Sequence, residues 1–503
     1  MQINDEAETQ ERFEKLQRKL VPLWRSIRAM GEDEQTIVVV PSMTVDKVFP
    51  GAVQQAYEER FLFLLFLLRQ PRARMVYVTS LAIAPAVIDY YLGLLPGVIA
   101  SHARRRLFLV SPLDPSSRPL SLKLLGRPEL LERIRGLIPD PDRAHLVPFN
   151  TTAYERDVAV ALGIPMYGCD PKHFHLGTKS GCRRIFAELG VDHPLGAEGL
   201  TTEDDLAGAI AEMRARKPSI AQVIVKLNEG VSGEGNAIVD LSDLAGGGSG
   251  TAIRSRIRGM RFDTPSMTHD GYMAKLRAVG GVAEERIAGD DFRSPSAQLR
   301  ISPLGEVERL STHDQILGGP SGQLYMGCRF PADPAYAAAI MRDAARVGSR
   351  LAEEGVIGRF ALDFVAVREP AGDWKVYAIE INLRKGGTTH PYLTLQFLTD
   401  GVYDPEAGRF LAPSGREKFF VASDDVESPA YRRLTPDDLF DIAVCRRLHF
   451  EPTRQTGVVF HMMSALGECG RVGLTAVADT IADADVLFKH TVAALDVEAA
   501  RRA

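Results

Sequence analysis

The chain has no long apolar run. The strongest, FLFLLFLL from Phe61 to Leu68, is 8 residues set between Arg60 and Arg69. A membrane-spanning helix needs about 20, so a buried helix is expected there. Cysteine is sparse: Cys169, Cys182, Cys328, Cys445 and Cys469 are odd in number, scattered and never in C-x-x-C spacing. That argues against a disulfide framework and a zinc site, and for a reduced, cytosolic protein. Charge of one sign is not in excess either. The 60 Lys plus Arg oppose 65 Asp plus Glu, a net charge of −5, too little to draw the protein onto nucleic acid or an anionic membrane. Small-molecule or peptide partners fit better, and association of copies is left open. The opening MQINDEAETQERFEKLQRKL lacks the basic and apolar segments of a signal peptide.

Several catalytic signatures are also missing. The first strand-like run, TIVVV, leads into PSMTVDKVFPG rather than a G-x-G-x-x-G turn, and no G-x-S-x-G elbow or convincing Cys/His pair is present. From Thr36 to about Asp170, β-rich runs (TIVVV, MVYVTS, RLFLVSP, HLVPFN) alternate with helical stretches. This pattern implies βαβ units and a parallel sheet. A second region opens near Pro171 with two helices, LGTKSGCRRIFAELG capped by Gly190 and TEDDLAGAIAEMRARK with Thr202 as N-cap, and continues as β-like runs. The chain divides most economically into 1–170, 171–400 and 401–503, an α/β domain followed by α+β structure and a small C-terminal domain.

The most informative arithmetic lies in RFALDFVAVREPAGDWKVYAIEINLRKGG. Two β-like runs flank a Pro/Gly/Asp turn signal, which is a hairpin. With the turn centred between Ala371 and Gly372, Asp363 stands opposite Glu380 on one face, and Asn382 shares that face by the period of two. Carboxylates whose Cβ atoms are about 5 Å apart repel unless a cation sits between them. With an amide oxygen beside them they form a hard, all-oxygen cage that suits Mg²⁺, with Mn²⁺ as substitute, and a substrate phosphate. A solvated strand face fits poorly, because Ala361, Val365, Val367, Val376 and Ala378 are placed on the same face.

The stretch VIVKLNEGVSGEGNAIVD reverses the Walker order, with Lys226 before its glycines and a strand after them. It describes a β-hairpin whose Gly230, Gly233 and Gly235, with Ser232 between them, let backbone N–H groups approach phosphate. Alone it would be one Gly-rich turn among many. Together with Lys179 and the cage it suits a triphosphate. VAEERIAGDD offers backbone from Glu284 through Glu285 to Ile287 for an adenine edge, and Asp290 or Asp291 for ribose hydroxyls; an ordinary acidic strand end is the plain alternative.

In this order, DPKHFHLGTKSGCRRIFAELGV, VIVKLNEGVSGEGN, VAEERIAG, ALDFV and IEINLRKGGTTHP resemble the ATP-grasp superfamily across roughly Met166 to Leu398. STHDQILGGPSGQLYMGCRFPA and TGVVFHMMSALGECGRVGLT look like the carboxylate-amine ligases related to the pheganomycin-type peptide ligase. The resemblance implies an ATP-grasp fold with an N-terminal βαβ pre-grasp domain. It also implies ATP and Mg²⁺ as cofactors, Lys179 and Lys226 on phosphates, and Asp363, Glu380 and Asn382 on the metal. The activity implied is amide formation through an acyl phosphate, with a thiol acceptor or a non-catalytic ATP-binding role as alternatives. One departure stands out: many members carry Arg where this chain has Ala361, so Arg384 or Arg300 is expected to supply that charge. Lys385 to Tyr392 would surround the acyl acceptor, with His313 and His390 as proton carriers if they are not simply structural.

Overall fold

The computed structural model describes residues 3–28, 34–44, 51–95, 97–230, 235–244, 250–264, 266–289, 291–318 and 324–502. Strands β1 (Gln35–Val40), β2 (Ala73–Val78), β3 (Leu107–Val110) and β4 (Ala144–Pro148) form a parallel sheet in the order β3-β2-β1-β4. Their runs are apolar because helices cover both faces. The FLFLLFLL segment lies in a 3₁₀ helix, Arg60–Arg69, with most of its side chains buried. Each fully buried Leu or Phe there contributes about 1.5–3 kcal/mol. No helix among the described residues is long and apolar enough to cross a membrane.

The next region builds an antiparallel sheet from β5 (Gly196–Leu200), β6 (Gln222–Leu227), β7 (Asn236–Asp240), β8 (Arg261–Phe262) and β9 (Gly281–Glu285), ordered β5-β9-β6-β7-β8. Helices Glu203–Arg216, Gly250–Arg258 and His269–Val279 pack on it around their own core, which includes Leu206, Ile210, Val223, Val225 and Tyr272. Thr202 caps the first of these helices as expected, its side chain accepting from Asp205 N.

A larger sheet follows. It contains β10 (Phe292–Arg293), β11 (Pro295–Ile301), β12 (Val307–Gly318), β13 (Leu324–Phe330), β14 (Gly358–Arg368) and β15 (Trp374–Asn382). A short hairpin, β16 (Val402–Asp404) with β17 (Arg409–Leu411), stands apart. Then β18 (Phe419–Glu427), β19 (Gly457–His461) and β20 (Arg471–Ala478) rejoin the large sheet through the β13–β18 pairing. The division drawn near residue 400 therefore does not coincide with an edge of this sheet, because the final strands extend it.

Candidate functional site

Asp363 of β14 pairs with Glu380 of β15, and Ala361 with Asn382. Nearer the turn the register is offset by one, with Phe364 opposite Ala378, so Ile379 forms a bulge. The expected partners are thus correct at the site, while two neighbours are not. Beyond a bulge the pleat inverts. Val376 and Ala378, expected beside the carboxylates, pack into the core behind, and Tyr377 and Ile379 face the cleft with Val365 and Val367. Asp363 accepts from Asn382 Nδ2 and from Gln315 Nε2, both at 2.8 Å. Burial, and next the neighbouring Glu380, push its carboxyl up to about 6.

The cations stand opposite. Lys179 begins the helix Lys179–Leu189, with Thr178 as N-cap, and its Nζ contacts Glu380 Oε1. Burial works to raise the Glu380 carboxyl, but Lys179 outweighs it and holds it below the usual range. The helix is tied to β15 by Cys182, whose sulfur accepts from Ile381 N at 3.2 Å; burial pushes this thiol up to about 12, so it is structural. Lys226 closes β6 with Nζ 2.7 Å from Glu284 Oε2. Arg384 follows β15 and lies 5.9 Å from the Phe149 ring centre.

These groups line one cleft of about 1360 Å³ between the two antiparallel sheets, larger than the usual 300–1,000 Å³ of a single-ligand site. Gly230 and Ile287 line it. Gly235 stands at the far base of the glycine loop with φ +92°, its carbonyl accepting from Leu227 N at 3.1 Å and Tyr272 Oη at 2.9 Å. Ser232 and Gly233, like Asp290, lie outside the described residues.

Two expectations need correction. Arg300 is turned away: its guanidinium pairs with Glu308 and lies 5.1 Å from the Trp24 ring centre. Asp291 is engaged by Arg293 at 2.8 Å and Arg368 at 3.5 Å, on the outer edge where β10 meets β14. The Glu284 and Glu285 side chains serve protein partners, which leaves untouched the expectation for this segment, since that concerned its backbone. Glu284 holds Lys226 and, at 2.9 Å, Arg183; Glu285 holds Lys217 Nζ at 2.5 Å and accepts from Leu195 N at 3.1 Å. His313 is also structural, its Nε2 2.8 Å from Ser311 Oγ and its ring packed against Phe330 and Phe420.

Sequence reasoning missed the far end of the cleft, where Tyr57, Arg60, Asp424, Asp425 and Arg471 converge. Arg60 had been read only as the boundary of an apolar run. It is 5% exposed and donates to Asp424 Oδ2 at 2.6 Å. An arginine flanking a buried run is a signal that it has a buried partner, though the partner is more than 360 residues away. Gly386, Gly387 and Thr388 line the cleft, whereas Lys385 points away and donates to Pro148 O at 2.6 Å.

The family model described as IQCH-like, ATP-grasp matches residues 172–252 and 261–406, and that of the PGM1 C-terminal domain matches 438–487. L-propargylglycine–L-glutamate ligase of Streptantibioticus cattleyicolor is 30% identical over 434 residues, covering 85% of this chain and 86% of that protein. IQ motif-containing protein H of Danio rerio is 27% identical over 63% of this chain and 34% of its own length. Among solved structures, the biotin carboxylase domain of Hydrogenobacter thermophilus 2-oxoglutarate carboxylase superposes with TM-score 0.52 at 13% identity, covering 88% and 86% of the two chains. An ADP complex of N5-carboxyaminoimidazole ribonucleotide synthetase superposes at 0.51 with 10% identity, covering 92% and 97%. These last two speak to the fold.

Proposed function

The chain belongs to the ATP-grasp family, and from that premise we propose that it is an ATP-dependent ligase joining an amino-acid-sized carboxylate to an amine. The carrying observation is that Asp363, Glu380 and Asn382 share one cleft with Lys179, Lys226 and Arg384. Opposed carboxylates and several cations suit a polyanion bound with a hard metal ion. The donors are oxygens, which fits Mg²⁺ better than a softer ion. Mg²⁺, when bound, neutralises charge on phosphate oxygens.

In this reading Lys179 and Lys226 hold ATP phosphates, the Gly230–Gly235 loop closes over them, and the backbone near Ile287 meets the adenine. A carboxylate oxygen of the first substrate takes the γ-phosphoryl group and ADP leaves. The amine nitrogen of the second attacks the acyl carbon, phosphate departs with the C–O electron pair, and an amide remains. Chemistry of this type depends on positioning and fixed charge rather than a protein nucleophile. Arg384, which lines the cleft, stabilises the acyl phosphate in this reading. Arg60 and Arg471 beside Asp425 offer both signs of charge to a substrate that carries both, which favours amino acids.

The test is an ADP-release screen of amino acids and short peptides, singly and in pairs, with Mg²⁺. ADP formed only with a productive pair, together with a product mass equal to the two substrates less water, supports the assignment. A product carrying a thioester would move the acceptor to a thiol.

A further inference from the structure

Behind the far wall of the cleft, three side chains from distant parts of the chain meet at one point. His390 comes from the helix Thr389–Thr399, Asp424 from β18 and His461 from the end of β19. His390 Nε2 lies 3.0 Å from His461 Nε2 and 3.1 Å from Asp424 Oδ1, and His461 Nε2 lies 2.8 Å from the same oxygen. All three residues are buried, at 4%, 7% and 3% exposure respectively for His390, Asp424 and His461. Hydrogen bonds explain this poorly. If both Nε2 atoms carry protons, two N–H groups crowd each other over one acceptor. If neither does, three lone pairs face one another. If only His461 does, His390 carries its proton on Nδ1, an atom buried without a partner; if only His390 does, the bare His461 Nε2 faces the Asp424 carboxylate oxygen at 2.8 Å.

We propose that His390, Asp424 and His461 bind one divalent transition-metal ion of the zinc class, separate from the oxygen cage at Asp363. A tetrahedral zinc with bonds of about 2.0–2.1 Å sets its ligand atoms roughly 3.3 Å apart, close to the observed triangle. An ion with such bonds would stand about 1 Å out of the plane of these three atoms, leaving a face for water. Two imidazoles select such an ion over Mg²⁺. The surroundings are built for it. Gly473, paired with His461 across β19 and β20, lies against the imidazole so closely that a Cβ would stand 2.1 Å from Nε2. Arg60 fixes the second carboxylate oxygen at 2.6 Å, as outer partners of metal ligands do. Its positive charge opposes a dication, so the site is saturable but weaker than a closed four-ligand site. Cysteine spacing could not reveal a site made of His and Asp. The ion joins the helix that follows the cleft hairpin to the last strands of the sheet, and through Asp424 it positions Arg60 in the cleft.

The test uses the full chain, stripped with chelator and titrated with Co²⁺ in excess Mg²⁺. One equivalent should bind and give visible ligand-field absorption, be lost in His390→Ala and His461→Gln, and persist in Asp363→Asn. Zn²⁺ should raise the melting temperature of wild type and Asp363→Asn but not of the histidine variants. If those variants fail to fold, X-ray absorption at the zinc edge of loaded wild type decides: two imidazoles in the first shell support the site. An all-oxygen shell, no stoichiometric uptake by wild type, or undiminished uptake by both folded histidine variants overturns it.

Discussion

Asp363 stands opposite Glu380, and Ile379 bulges between Glu380 and Ala378. Without that extra residue the ladder would run from Phe364–Ala378 straight to Asp363–Glu380, so both carboxylates would keep one face. Deleting Ile379 should therefore keep the carboxylates opposed and retain nucleotide-dependent turnover. Removing Gly372 instead, in the turn, should leave the cage intact and cost stability. Steady-state ADP release and thermal melts compare the two deletions.

Asp363→Asn and Glu380→Gln should each lower turnover at least about 100-fold, the scale of losing a preorganised charge-stabilising group. Asp363→Asn should also change stability in the absence of metal and nucleotide. The folded carboxyl titrates at about 6 against an ordinary 3.8. Between those values the folded protein holds a proton that the unfolded chain has released, so this group's contribution falls as pH rises through the window. Above it the deficit is at most about 3 kcal/mol. Urea melts at pH 4 and pH 7.5 should show Asp363→Asn gaining on wild type at the higher pH only.

Lys226→Met should do two things. It removes a proposed phosphate contact, raising the KM for ATP, and it leaves Glu284 buried with Arg183 as its remaining cation, costing about 1–3 kcal/mol. Lys226→Met combined with Glu284→Gln should recover part of the stability and none of the ATP affinity. Calorimetric ATP binding and denaturant melts separate the two effects.

Arg384→Gln and Arg300→Gln should part company. Arg384 lines the cleft, so its loss should depress kcat about 100-fold or more. Arg300 is partly exposed, paired with Glu308 and stacked on Trp24. Its loss should cost about 1 kcal/mol or less and leave ADP release unchanged.

The parallel N-terminal sheet and the facing carboxylates were legible because each rests on local periodicity: alternating strand and helix signals, and a turn flanked by strands. The face of Val376 and Ala378 was misread because a bulge has no signature in alternation. Arg300 was misassigned for a different reason. Strand pattern says which face a side chain takes, and Arg300 shares the Asp363 face through Ser296, but it does not say how far along that face the cleft extends. Asp424, His461 and Arg60 escaped notice because their meeting joins segments that only tertiary packing brings together.

The most direct measurement is isotope transfer. A carboxylate substrate labelled with ¹⁸O, found by pairing amino acids in the ADP-release screen, should deliver one ¹⁸O atom to the released phosphate, with ADP and amide formed in equal amounts. Phosphate without the label, or ADP formed at the same rate without the amine, would contradict an acyl-phosphate ligase.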